Sequence, residues 1–138
     1  MSDKVFLDTN ILLYAKIDDG TAKHAKARAL LTRGVAETEI SVSIQVINEY
    51  FVNALRKNID KTDIETTVRQ FMRDFNLVSL TASLVADSIR LFKQYRFSYW
   101  DSLIVAAALE AGCSILYSED LQNGQIIDGT LTAVNPLL

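Results

Sequence analysis

Cysteine occurs once in this chain, at Cys113, so no internal disulfide framework holds the fold. Cys113 lies between Gly112 and an apolar run, the setting of a small buried hydrophobe and not of a nucleophile. Proline also occurs once, at Pro136, and no Gly/Ser tract, repeat or low-complexity stretch divides the chain. No apolar run approaches the roughly 20 residues of a membrane helix, and Met1-Ser2-Asp3-Lys4 runs straight into a strand pattern without a secretory h-region. The expectation is a soluble, cytoplasmic protein with no membrane association. Basic charge is not in excess either: the formal net charge is −3, mild evidence against a broadly basic surface, although carboxylates gathered in one site would contribute to it. The only histidine, His24, sits among Lys23, Lys26 and Arg28, reads as exposed, and is assigned no catalytic role.

What is present is a core. Of 138 residues, 49% are hydrophobic and 22% charged, which fits one domain, residues 1–138, burying about two thirds of its unfolded surface. Val5-Phe6-Leu7 reads as a strand, followed by a short helix over Thr9 to Lys16. Ala22 to Arg33 reads as a second helix with Thr21 before it and Gly34 as its stop. Glu39 to Ser43 reads as a strand. The set Ile44, Ile47, Phe51, Ala54 and Leu55 has helical spacing and predicts a helix over 44–57. Thr62-Asp63-Ile64-Glu65 has capping-box spacing and opens a helix to about Phe75. A strand at 77–80, a helix capped by Thr81 and ending near Tyr95, and another from Ser98 or Tyr99 to Gly112 follow. Ser114 to Tyr117 is a strand, Asn123-Gly124 and Asp128-Gly129 are turns, and Leu131 to Val134 is a final edge strand. Strands alternating with helical connections predict a three-layer α/β/α sandwich with a central, mainly parallel sheet.

Asp8, Glu49, Asp101 and Asp120 each stand where an apolar run meets a boundary. Asp8 and Asp120 follow strand exits, the rim at which open α/β sheets bind ligands. Taken singly, either could simply cap a turn or helix. Glu49 and Asp101 lie on helices, and periodicity does not establish that they reach the same rim. Together the four would suit a hard divalent cation such as Mg²⁺ or Mn²⁺, which prefers carboxylate and water oxygens. Packed without a cation, they would repel one another and raise some pKa values. Such an ion would attract a phosphate, polarise its oxygen and stabilise a departing one, so hydrolysis of a phosphodiester needs no protein nucleophile.

Phe6-Leu7-Asp8-Thr9-Asn10, Asn48-Glu49-Tyr50, Tyr99-Trp100-Asp101-Ser102-Leu103-Ile104 with Ala106-Ala107-Ala108, and Tyr117-Ser118-Glu119-Asp120-Leu121 together resemble the PIN-domain nucleases over nearly the whole chain. Within that superfamily the chain is most similar to the VapC-type toxin ribonucleases, whose ending Asn135-Pro136 also resembles. The resemblance implies a Mg²⁺- or Mn²⁺-dependent endoribonuclease acting on RNA, the toxin of a toxin-antitoxin pair, forming a homodimer and blocked by a cognate antitoxin protein. It implies Asp8 and Asp101 as metal ligands. Glu49 and Asp120 would bind directly or through water, or orient the attacking water, with Thr9, Asn10 and Ser118 as supporting polar groups. Asp120 is taken over its neighbour Glu119 by resemblance.

Other residues have plainer readings. Tyr99 and Trp100 could stack on RNA bases, but their apolar area at the start of a hydrophobic helix reads as core, and both are left out of the site. Lys23, Lys26, Arg28 and Arg33, or Arg90, Lys93 and Arg96, could bind phosphates but read mostly as solvated faces. Tyr14, Tyr50 and Phe51 serve either a dimer surface or the core. Competing functions are a haloacid-dehalogenase-like phosphotransferase, disfavoured because Asn10 replaces the second Asp of that motif, and a receiver domain, disfavoured by the lack of an adjacent acidic pair after the first strand. A non-enzymatic alternative is a PIN-like RNA-binding or regulatory module without turnover.

Overall fold

In the computed structural model the chain is described from residue 4 to residue 138, and the reading of Met1, Ser2 and Asp3 lies outside those residues. The elements are β1 (Lys4–Leu7), α1 (Thr9–Lys16), α2 (Ala22–Glu37), β2 (Glu39–Ser43), α3 (Ile44–Arg56), α4 (Lys61–Asp74), β3 (Asn76–Val78), α5 (Ala82–Tyr95), α6 (Tyr99–Glu110), β4 (Ile115–Tyr117), β5 (Ile126–Ile127) and β6 (Leu131–Val134). Six helices flank one sheet of order β3-β2-β1-β4-β6-β5, parallel throughout except for the β5–β6 pair. None of the described helices is long and apolar enough to cross a membrane.

The apolar runs explain the centre. Val5, Phe6 and Leu7 of β1 and Ile40 to Ser43 of β2 are all buried, as strands covered on both faces must be, so their pattern is continuous and not alternating. Ser102 to Ala108 of α6 are likewise buried on every side. Thr81 caps α5 by accepting the Leu84 N–H at 3.1 Å, as expected. Its replacement by Ala should cost about 1 kcal/mol in urea denaturation, with the midpoint lowered and the slope unchanged.

Several boundaries differ from the sequence reading for identifiable reasons. Gly34 does not stop α2, which continues to Glu37; a Cβ there would meet Ile40 Cδ1 at 3.1 Å, so the glycine lets the helix approach β2. Asp60, not Thr62, caps α4, accepting the Thr62 N–H at 2.7 Å and placing the cap two residues earlier. β3 begins and ends earlier than expected, at Asn76–Val78. Leu131–Val134 is not an edge strand: the two-residue β5 covers it through the turn at Asp128-Gly129, too short a strand to leave a pattern. Gly112 ends α6 as expected, with φ +72°.

The strand order positions the site. β1 connects through α1 and α2 to β2, and β2 through α3 and α4 to β3, each step in one direction; α5 and α6 then return the chain to β4 on the opposite side of β1. The reversal lies between β1 and β4, and there the connections leave in opposite directions and open a crevice beyond the carboxyl ends of the strands.

Candidate metal centre

Asp8 follows the last residue of β1, and its backbone N–H donates to the Tyr117 carbonyl at the end of β4 at 3.0 Å, locking the two strand exits together. Its side chain is buried, with 6% of the residue exposed. Oδ1 accepts the Thr9 N–H at 2.7 Å, which caps α1, and Oδ2 accepts the Ser118 hydroxyl at 2.8 Å. The same Ser118 oxygen accepts the Asp120 N–H at 3.1 Å, so one hydroxyl sets both the rotamer of Asp8 and the turn that carries Asp120. Asp101 sits in the first turn of α6, whose Ser98 cap accepts the Asp101 N–H at 3.1 Å. One carboxylate oxygen from each of Asp8, Asp101 and Asp120 lies within 4.8 Å of the others.

Glu49 is outside that trio and is held beside it. Its Oε2 accepts the Thr9 hydroxyl at 2.7 Å and its Oε1 accepts Gln45 Nε2 at 2.8 Å. Gln45 also reaches the Trp100 carbonyl at 3.3 Å, joining α3 to the start of α6. Gln45 escaped the sequence reading, although its i,i+4 spacing from Glu49 on a helix was the signal that could have found it.

The electrostatics follow from burial and like charge. Desolvation above all, with the charges of Asp120 and Asp101, raises the Asp8 carboxyl to about 7 against the opposing Ser118 and Thr9 hydrogen bonds. Asp101 is raised first by burial and then by Glu49, against the Ser98 bond. Asp120 is raised by burial and then by Asp101, Glu119 and Glu49. Hydrogen bonds to Asp8 favour its charge, and among the described residues no Lys or Arg forms an ion pair with any of the three carboxylates. Three oxygen donors of this kind, with no thiol or imidazole among them, fit a hard divalent cation.

Against protein-family models, residues 5–123 match the PIN domain. The chain belongs to the PIN-domain family. No curated protein sequence matches it. Among solved structures it is similar to Mycobacterium tuberculosis VapC20, a sarcin-ricin loop cleaving toxin, with TM-score 0.69 and 18% identity over 84% of this chain and 89% of that one. A toxin-antitoxin complex from Klebsiella pneumoniae gives TM-score 0.68 and 21% identity over 96% and 97%. VapBC2 from Rickettsia felis, bound to a DNA fragment from its promoter, gives 0.66 and 19% over 94% and 96%. At these identities the likeness is one of fold.

In this PIN domain the neighbouring acids separate cleanly. Glu119 accepts the Tyr14 hydroxyl at 3.0 Å and Lys23 Nζ at 3.1 Å, while Asp120 joins the trio. Lys23 is thus tied to α1 and the loop after β4 and is not a free phosphate binder. Arg90 is likewise engaged, by Asp87 and by both oxygens of Asp128. Asn10, in the first turn of α1, lines a recess with Leu13, Tyr14 and Lys57, and no hydrogen bond joins it to the four acids among the described residues. His24 is not exposed: its ring packs beneath α1 with Nδ1 2.7 Å from the Tyr14 carbonyl. Tyr50 is core, against Phe71, whereas Phe51 is exposed. The core reading of Trp100 is overturned, for 65% of it is exposed. It lies in the first turn of α6, ahead of the segment that enters the interior, so helix start and burial do not coincide.

Proposed function

We propose that this PIN domain is a cytoplasmic endoribonuclease that hydrolyses RNA phosphodiester bonds with Mg²⁺ or Mn²⁺, as the toxin of a toxin-antitoxin pair. The observation that carries the reading is the convergence of Asp8, Asp101 and Asp120 at the reversal point of the sheet, within 4.8 Å and, among the described residues, without an ion pair to Lys or Arg. A divalent ion held by these three residues would draw in a phosphate, polarise it and stabilise the leaving oxygen. Ser118 fixes Asp8 in its rotamer, and Thr9 with Gln45 fixes both oxygens of Glu49, which serves to orient the attacking water. A protein antitoxin belongs to the same reading, supported by neighbours solved as toxin-antitoxin and VapBC complexes; the homodimer that the resemblance implies belongs to it as well.

Structured and single-stranded RNAs incubated with Mg²⁺ or Mn²⁺ should be cut, spared when the metal is chelated, and cut again when it is restored in excess. Binding of RNA without cleavage under every metal would instead favour a regulatory module, and cleavage that survives chelation would remove the metal from the account.

A further inference from the structure

Beside the carboxylates a groove of about 630 Å³ runs between α3 and the start of α6, within the size range of small-ligand sites. Trp100 and Leu80, 65% and 57% exposed, form its apolar side with Leu103, and Gln45, Asn48 and Arg56 supply its polar groups. Glu49 borders both the groove and the acidic trio, and Trp100 is the residue before Asp101, so the two sites are continuous. Trp100 has a fixed backbone, through Gln45 Nε2 on its carbonyl, and an edge contact with Tyr99 at 5.6 Å between centroids. Arg56 reaches only the Asn53 amide oxygen, at 3.4 Å, and no carboxylate among the described residues.

We infer that this groove holds one unpaired nucleobase next to the scissile phosphate, stacked on Trp100, with Asn48 at the base edge and Arg56 on the neighbouring backbone phosphate. The inference rests on the ribonuclease reading. An exposed indole next to the water-facing Asn48 carboxamide and a guanidinium that meets no carboxylate among the described residues matches a π-face, a polar edge and a phosphate in one nucleotide. A purely apolar partner surface would leave those polar groups unsatisfied. Stacking is tolerant of sequence and requires the base to be out of a duplex, so the groove selects single-stranded segments and not a particular base.

Trp100 is the only tryptophan, which makes the test direct. Oligoadenylate of eight nucleotides, titrated with Mg²⁺ into Asp8→Asn protein to prevent cleavage, should quench the fluorescence saturably, and the same strand in a duplex should quench it far less. In otherwise wild-type protein Trp100→Ala should raise KM for single-stranded RNA roughly 5- to 100-fold with a smaller change in kcat. Trp100→Phe should restore most of the loss, and Mn²⁺ affinity by calorimetry should be unchanged in both. Equal KM in Trp100→Ala, or fluorescence that answers to protein concentration and not to RNA because a second copy covers the groove, overturns the inference. Quenching by single strands in a protein that cuts no RNA would leave the base contact standing and remove the hydrolysis instead.

Discussion

Asp101→Asn should reduce metal-dependent RNA cleavage by more than about 100-fold, beyond the usual loss on removing a group that merely supports a ligand. The substitution keeps the shape and the Ser98 cap on the backbone N–H of residue 101, so the helix start survives. What disappears is one of the three oxygens gathered within 4.8 Å, and with it a full negative charge. Metal titrations of the cleavage rate should therefore show a weaker apparent affinity as well as a lower plateau. Glu119→Gln is the matched control one residue from Asp120. Its carboxylate is occupied by Tyr14 and Lys23, an arrangement half open to solvent whose loss should alter the rate by no more than a few-fold. Equal losses in the two variants would show that overall negative charge matters and the trio does not.

The metal-free protein should lose stability as pH rises, and Asp8→Asn should remove much of that loss. Burial holds the Asp8 carboxyl at about 7 in the fold against 3.8 for the free group. Between those values the folded state keeps a proton that the unfolded chain releases, so the stabilising contribution is complete below about pH 4 and declines through pH 7. Three units correspond to roughly 4 kcal/mol at most, and about 2 kcal/mol is the expected order once charge is shared with Asp101 and Asp120. Urea denaturation with chelator present should show wild type more stable at pH 5 than at pH 8, and Asp8→Asn more stable than wild type at pH 8. Adding Mn²⁺ reverses the order, since a cation favours the charged carboxylates and stabilises only the fold that assembles them. Wild-type stability that climbs from pH 5 to pH 8 without metal would contradict the burial of an uncompensated Asp8.

The same residues explain how much could be read before any coordinates. α1 and β2 match their expected bounds, and β1 begins one residue before its expected start, because unbroken apolar runs and boundary polar residues act over neighbouring positions. The family was legible only as a resemblance carried by the motifs around Asp8, Glu49, Asp101 and Asp120, which the match over residues 5–123 bears out. Local pattern failed where one element's choice depends on another: Gly34 answers to Ile40, and the internal position of Leu131–Val134 answers to β5.

Linear order supplied Asp8, Glu49, Asp101 and Asp120, together with the alternation that makes a parallel sheet. Only the tertiary structure decided that Asp8, Asp101 and Asp120 meet while Glu49 stands beside them on Thr9 and Gln45, that Glu119 turns toward Lys23, and that Trp100 faces solvent. The reason is geometric. A residue's periodicity fixes the side of its own helix or strand, but the distance between residues some 90 positions apart is set by strand order and helix packing, which no local pattern encodes.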